Sequence, residues 1–539
     1  MPTAEDSAYL LGKRRTLVVF AGLLLGMLLA ALNQTIVSTA LPGIVADLGG
    51  FEHYSWVFSA YMLTATVTVP LYGKLSDIYG RRPLFALAIV LFMAGSVVSG
   101  LAPSMSVLIF GRAIQGLGAG GLIPLVMAVI GDLIAPRERG KWQGLTGAVF
   151  GIASVVGPAT GGWITDNASW RWAFFVSLPF GALALAVVWR GFTMEPAHRS
   201  HRVDYVGAAL LTGGVSAGLL ATVWGGIEYP WGSPEIVGLF LACAVLLGAF
   251  LFWERRVPEP ILPLGLFANR TFAASQVALF VTGAAMFGTI IFIPLFVQGV
   301  LGESATSSGA ILTPLMLALV GASVLSGQVV SRTGRYKAIL LASPLVLAVG
   351  FYLLAQLDVH STTAETTRDM IVVGIGLGLG MQTFVVVVQN AVPQSVMGVA
   401  TSTTQFFRTI GATVGVTVMG ALLTSRLHVE LAERLPALEL AKLGGASSPG
   451  ALVAGGAQGL PADVAATLRD ALAAAMHPIF VIGLPMMAVA FVATLFIERR
   501  ELRQTVHERP AKAGRELFDE IGDEFAPEPR ASYGRAGGR

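Results

Sequence analysis

Two guanidinium groups stand where a charge is costly to keep. Arg112 lies inside the apolar run 105–133 and Arg408 inside the apolar run 398–424. An ionised side chain at such depth is retained because it pairs, lines a polar cavity or carries a function. Other apolar runs hold amides, namely Asn33, Gln34, Gln115, Gln276, Gln382 and Gln405. Amides can line a solute site or act as hydrogen-bonding glue between helices, and Asn33 and Gln34 suit either role. Carboxylates fall elsewhere. Asp77, Asp132, Asp204 and Glu254 sit at one set of run ends, and Glu228, Glu235, Glu303, Asp358 and Asp369 at the opposite set, so no carboxylate is an obvious mid-depth proton carrier. The chemistry on offer is recognition and movement of a solute. An enzyme would need nucleophile, acid and base groups clustered at one depth, and His477 stands alone at a run end. No Walker A pattern occurs, which argues against direct use of ATP. The single cysteine, Cys243, allows neither an intrachain disulfide nor a cysteine metal site, and no cofactor is expected.

The elements that must position these groups are apolar and nearly charge-free. Of 539 residues, 54% are apolar and 12% charged, too few charges to cover a soluble protein of this length. The net charge of +3 comes from small basic clusters between runs, so nucleic acid is not an expected partner. Runs of about 18 residues or more are long enough to cross the hydrocarbon as helices. Fourteen are found, at 16–41, 54–73, 84–102, 105–133, 142–165, 172–190, 205–226, 236–253, 271–300, 305–330, 338–357, 370–391, 398–424 and 478–497. With the N-terminus inside, the Lys and Arg clusters fall on the cytoplasmic side and the short outer loops hold only Arg171 and Arg368, so both termini are expected in the cytoplasm. The segment 426–477 reads as a long outer segment, amphipathic over 427–443, flexible over 444–459 and restarting as a helix at Pro461, which suits an interfacial hairpin or small outer cap. The tail beyond Gln504 reads as disordered.

Two links between runs repeat one pattern. Gly73-Lys74-Leu75-Ser76-Asp77-Ile78-Tyr79-Gly80-Arg81-Arg82-Pro83 is echoed by Gly327-Gln328-Val329-Val330-Ser331-Arg332-Thr333-Gly334-Arg335-Tyr336-Lys337. Each places glycines seven apart before an arginine, which suits a tight turn between antiparallel helices. Asp77 can pair with an arginine or cap a helix end, whereas the copy has Ser331 there; a plain solvated turn is the alternative. Arg112 opens Gly111-Arg112-Ala113-Ile114-Gln115-Gly116 and lies about 10 Å along its run if the helix starts near Met105. Ala113 to Gly131 alone is nearly long enough to span, which would leave Arg112 at a rim. The run Gly157-Pro158-Ala159-Thr160-Gly161-Gly162 combines close-packing glycines with a helix-bending proline.

Together with Asn33-Gln34-Thr35-Ile36-Val37-Ser38-Thr39-Ala40-Leu41-Pro42, these stretches resemble the major facilitator superfamily, and within it the fourteen-helix drug:proton antiporter branch (EmrB/QacA type), from about Leu29 to Ile497. The resemblance implies an all-α integral membrane protein of two six-helix bundles plus two inserted helices. Residues 1–15 form a cytoplasmic tail, 16–190 the first bundle, 191–270 the inserted pair with linkers, 271–497 the second bundle with the loop 426–477, and 498–539 a second tail. It implies export of lipophilic or amphipathic compounds by alternating access, driven by protons and working as a monomer in the plasma membrane. An uncoupled lipid or metabolite transporter is the alternative, because the branch usually has aspartate where this chain has Asn33, and an amide cannot titrate. Further implied roles are a conformational latch (Gly73, Asp77, Gly80, Arg81, Arg82, with Gly327, Gly334 and Arg335 in the copy) and a buried Arg112 near the coupling position. Gly157, Pro158, Gly161 and Gly162 match the antiporter signature. Ser169 to Phe175 reads as an outer aromatic belt. With Arg112 and Arg408 in the cavity, a site lined by Asn33, Gln34, Gln115, Gln276, Gln382, Gln405 and Met286 is expected to be neutral to positive.

Overall fold

The computed structural model describes residues 13–48, 54–134, 136–191, 204–226, 229–258, 260–303, 305–393, 396–434 and 462–499. Its long elements are helices, as a chain in hydrocarbon requires, since every backbone N–H and C=O must be satisfied within its own segment. In order they are α1 (Lys13–Leu48), α2 (Tyr54–Tyr79), α3 (Arg81–Gly100), α4 (Met105–Leu133), α5 (Pro136–Asn167), α6 (Trp172–Phe175), α7 (Ser177–Gly191), α8 (Tyr205–Trp224), α9 (Pro234–Glu254), α10 (Arg270–Gly299), α11 (Ala305–Thr333), α12 (Lys337–Ala355), α13 (Thr363–Ala391), α14 (Met397–Arg434), α15 (Ala462–Val481) and α16 (Gly483–Leu495). Taking α6 with α7 and α15 with α16, twelve spans among the described residues are long and apolar enough to cross a membrane. The helices α2 and α5, of 26 and 32 residues, are interleaved with them and complete the fourteen. The chain is a multi-pass membrane protein.

The helices fall into two bundles, α1–α7 and α10–α16, each with its own apolar core. Phe20, Phe85, Phe92, Leu122 and Val126 anchor the first; Ile293, Phe296, Leu347, Phe351 and Met476 anchor the second. Between them in sequence, α8 and α9 form a hairpin whose Leu211, Val215 and Phe250 pack with Val67 and Val69 of α2 and Val399 and Ala400 of α14. The hairpin therefore rests on both bundles. Helix α9 is the most outward-facing span, with only 11% of its apolar window buried.

Local sequence sets the joints. Gly80 at φ 90° joins α2 to α3 and Gly334 at φ 69° lies between α11 and α12, backbone conformations that a Cβ would strain. Asn269 caps α10 through the Thr271 and Phe272 N–H groups, and Thr362 with Glu365 forms a capping box on α13.

Three features differ from the sequence reading. In the segment 426–477 a helix restarts at Ala462 as expected, but α14 runs on unbroken to Arg434 and both extensions join the bundle instead of forming an outer cap. Leu427, Leu431, Val464, Leu468 and Leu472 on these extensions are buried in the second core, which offsets the charges that interrupted the apolar run. Residues 435–461, including the expected flexible stretch, lie outside the described residues, as does the tail beyond 499. The sixth span breaks at Val176, where Pro179 supplies no N–H to the carbonyl four residues back. Trp170 is not part of an outer belt: it is 5% exposed and donates its indole N–H to Asp47 at 2.9 Å. That bond, with one from Arg171, holds the Asp47 carboxyl below its usual range.

Candidate functional site

Arg112 is wholly buried, seven residues into α4. Small residues make this burial possible. Cβ atoms on Gly116 and Gly120 would collide with α2 at Tyr61 and Ala65, and Cβ atoms on Gly111 and Gly118 with α3 at Ser99 and Phe92. Helix α4 is thus clamped between two neighbours with Arg112 inside. The guanidinium donates from Nη1 to Asn33 Oδ1 at 2.8 Å and to Gln115 Oε1, and from Nε to the Val57 carbonyl at 3.1 Å. Its carbon lies 4.2 Å from the Tyr61 ring centroid. Gln115 passes the chain on to Ser96 at 2.7 Å, and Ser177 lies 3.2 Å from Ser96. These acceptors are amides, a carbonyl and a π face, and among the described residues Arg112 forms no ion pair. Arg112 Nη2 and Asn33 Nδ2 have no hydrogen-bond partner. A buried cation held only by dipoles is a strong acceptor site for negative charge.

The first Gly-rich link builds a second cluster. Arg81 bridges two carboxylates, Asp77 at 2.6 Å and Asp132 at 2.8 Å, and also donates to Ser76. The other Asp77 oxygen accepts the backbone N–H of Val399 at 3.0 Å, in the first turn of α14 and so across the boundary between bundles. A carboxylate at a helix N-terminus meets unpaired N–H groups and the positive end of the helix dipole. Gly73 packs so closely on α14 that a Cβ would clash with Ser402. Arg82 instead turns to α7, donating to the Trp189 carbonyl at 2.7 Å. The second copy differs: Arg335 is exposed and its N–H turns back to Thr333 at 3.2 Å.

Residues that sequence reading did not single out as site residues extend the boundary. Gln143 of α5 donates to Gln389 of α13 at 2.9 Å, and Gln389 donates to the Met127 carbonyl of α4 at 2.9 Å. Arg139, read from sequence as one more basic loop residue, is 1% exposed and reaches the Ile134 carbonyl at 2.8 Å and the Gln389 carbonyl at 3.4 Å. The signal for Gln143 and Gln389 was only an amide near the end of an apolar run. Farther along α5, Gly144, Gly147 and Gly151 face Val324, Ser323 and Val320 of α11. The antiporter-like run lies on another neighbour: a Cβ on Gly157 would clash with Thr35 of α1, and Thr35 donates to the Ala153 carbonyl at 3.1 Å. Pro158 and Gly162 fall within α5, and Gly161 is buried.

The two bundles thus meet through α2 and α4 on α14, and α5 on α11 and α13. Among the described residues, the bonds that Asp77, Arg139, Gln143 and Gln389 make across that boundary lie at the end that carries the Gly73–Arg82 link. Helices α1 and α10 pack mainly within their own bundles.

The remaining expected site residues are dispersed, all but Gln34 in the second bundle. Arg408 lines a cavity of about 10 Å³, the space of one water, with Thr282, Met286, Ser343 and Met381. This cavity lies inside the second bundle rather than between the two. Among the described residues Arg408 has no ion pair or side-chain hydrogen bond. Gln276 donates to Thr404 at 3.4 Å and leaves Oε1 unpartnered, and neither amide atom of Gln382 has a partner. Gln405 is 9% exposed. Gln34 reaches the Met62 sulfur at 3.8 Å. The structure joins Asn33, Arg112 and Gln115 in one network and leaves Gln276, Gln382 and Arg408 outside it.

Comparison with known proteins gives a consistent answer. A family model described as Major Facilitator Superfamily matches residues 23–416. The chain is 38% identical over 527 residues to the multidrug transporter protein MdtP of Bacillus subtilis, covering 93% of this chain and 97% of that protein. It is 36% identical over 495 residues to multidrug resistance protein 3 of the same organism, covering 91% and 96%. Among solved structures it resembles the human organic anion transporter MFSD10 with a TM-score of 0.58 at 16% identity, covering 88% of this chain and 99% of that one.

Proposed function

The chain belongs to the major facilitator superfamily, and on that premise we propose that it is a secondary active exporter of small amphipathic compounds. It works by alternating access, the two bundles rocking about a site between them. It acts as a monomer in the plasma membrane, with both termini in the cytoplasm and protons flowing inward as the driving ion. Relatives named as a multidrug transporter and a multidrug resistance protein support the solute class. The basic links support the orientation, since it puts Lys74, Arg81, Arg82 and Arg139 on the cytoplasmic side.

The observation that carries the reading is closure at one end. Asp77 to Val399, Gln143 to Gln389 and Arg139 to Gln389 tie the bundles together where the basic links lie, while α1 and α10 pack within their own bundles. In the proposed orientation this is the outward-facing state, with the Asp77 cluster as the cytoplasmic latch. The wall between α5 and α11 is then the surface along which the bundles rock. The proton drive needs a carboxyl other than the family position, because Arg112 here grips the amide of Asn33.

That same bond favours a second reading, an uncoupled carrier of the same fold that equilibrates its solute. The experiment is accumulation of a lipophilic dye by energised cells of a sensitive host. Expression should lower the steady level, and collapse of the proton gradient should restore it. A steady level unchanged by expression but reached faster selects the uncoupled carrier; an unchanged level reached at an unchanged rate rejects both readings.

A further inference from the structure

The inserted hairpin carries a buried charge cluster that the transport account leaves unused. Asp204, 8% exposed, caps α8 by accepting the Gly207 N–H at 2.8 Å, and it accepts the Trp253 indole N–H at 3.0 Å. Glu254, 4% exposed, ends α9. Its Oε1 accepts the Ile261 N–H at 3.2 Å, while its Oε2 is buried without any hydrogen-bond partner. The two carboxyl groups close on the same spot. A Cβ on Gly207 would clash with Asp204 Oδ2 and stand 3.1 Å from Glu254 Oε1. The third member is Lys74 of the latch link, 6% exposed and within electrostatic reach of Glu254. Arg255 and Arg256 follow on α9 but are exposed, with Arg256 lying over the Phe252 ring at 3.8 Å.

Counting charges shows what this cluster lacks. Among the described residues, two carboxylates stand against the one ammonium within reach, a net negative charge in a buried place. Two acids this close in low dielectric do not both ionise at little cost. An orphaned carboxylate oxygen is where one more proton fits, and adding it lowers the buried negative charge. We propose that Glu254 and Asp204 form a one-proton binding site at the foot of the inserted hairpin, and that its occupancy sets how strongly the hairpin holds Lys74 of the latch.

The proton comes from water at the latch end and binds Glu254 Oε2; no other bond changes. With the site empty, the net negative hairpin foot pulls Lys74 and steadies the α2 end that carries Asp77. With the site filled, that pull weakens and the latch is freer to open. This gives the two inserted spans a role, since α8 packs on both α2 and α14. The inference does not rest on the direction of transport or on the driving ion.

The test is an infrared pH titration of the purified full chain in lipid, reading the carboxylic C=O band across roughly pH 5 to 9. Wild type should show a protonation step of one group that Glu254→Gln removes. Lys74→Gln, which withdraws the nearby cation, should move the step upward by about one pH unit. Asp204→Asn, which withdraws the like charge, should move it downward. A band unchanged by Glu254→Gln overturns the assignment. If that variant fails to fold, the other two decide: opposite shifts support the site, and a step that neither moves rejects it. Dye efflux is measured on the same samples, so a missing infrared step with working efflux counts against this site alone.

Discussion

Asp77 in α2 accepts the backbone N–H of Val399 at 3.0 Å in the first turn of α14, so one bundle holds a helix N-terminus of the other. Asp77 is also the i,i+4 partner of Arg81, which Asp132 grips from the far side. The bond between bundles is charge-assisted and mostly shielded from water. Its loss therefore acts on the equilibrium between closed and open states more than on either bundle's fold.

Asp77→Asn keeps the shape and removes the charge. A hydrogen bond to a charged group contributes about 1.5–3 kcal/mol, so the closed population should fall by roughly tenfold or more. Spin-label distances across the latch end should broaden towards longer values, and transport should fall, with solute affinity kept within about twofold. An unchanged distance distribution with lost affinity would assign Asp77 to the solute site.

Gly73→Ala tests the same boundary by volume. The added methyl meets Ser402 and lies 3.0 Å from the Gly398 carbonyl. Overpacking of this kind costs about 1–3 kcal/mol, and it falls only on the closed state. Labels at the latch end should separate, and Ser402→Gly should restore much of the closure, giving a non-additive pair. Additive effects would show that the two residues do not meet.

Asn33→Asp puts a carboxylate against Arg112 Nη1, now 2.8 Å from the amide oxygen. The new group can load and release a proton while paired with a buried cation, so a proton gradient gains a handle at that position. Gradient-driven dye extrusion should rise several-fold in the variant over the wild-type level, with the affinity for a neutral solute little changed. Coupling no stronger in the variant would show that position 33 takes no part in the drive, with Asp132 the first carboxyl to substitute.

Much of this architecture was legible in the sequence, and the losses have physical causes. The fourteen spans stood out because hydrocarbon admits only long charge-free helices. Arg112 and Gln115 sit three apart and so share a helix face, a local relationship a sequence displays. The Gln143–Gln389 bond joins residues 246 positions apart, and neither amide carries a local mark of its partner. Arg139 looked like one more basic loop residue because its burial depends on α13 lying across it. The helix restart at Pro461 was legible but its packing was not, because Arg469 and Asp470, both exposed, broke the apolar run without breaking the buried stripe of Val464, Leu468 and Leu472.

The two intramembrane cations set an expected charge preference. Arg112 is compensated by dipoles alone, and Arg408 lines its small cavity without an ion pair among the described residues. A dicationic solute would have to be desolvated with no acid to offset it, at a cost of several kcal/mol. Neutral or weakly anionic amphipaths should therefore compete for one bound reporter at least tenfold better than dicationic isosteres. Tighter binding by the dication would show that neither guanidinium faces the solute.

The central claim is that this chain carries a solute by alternating access, and counterflow tests it without assuming any driving ion. Proteoliposomes are loaded with unlabelled amphipathic dye and diluted into a trace of labelled dye. A carrier that exchanges one solute for another gives a transient overshoot of label inside, and the account predicts that overshoot, reduced in Asp77→Asn. Monotonic entry at the rate of protein-free vesicles, with folded protein present, would contradict it.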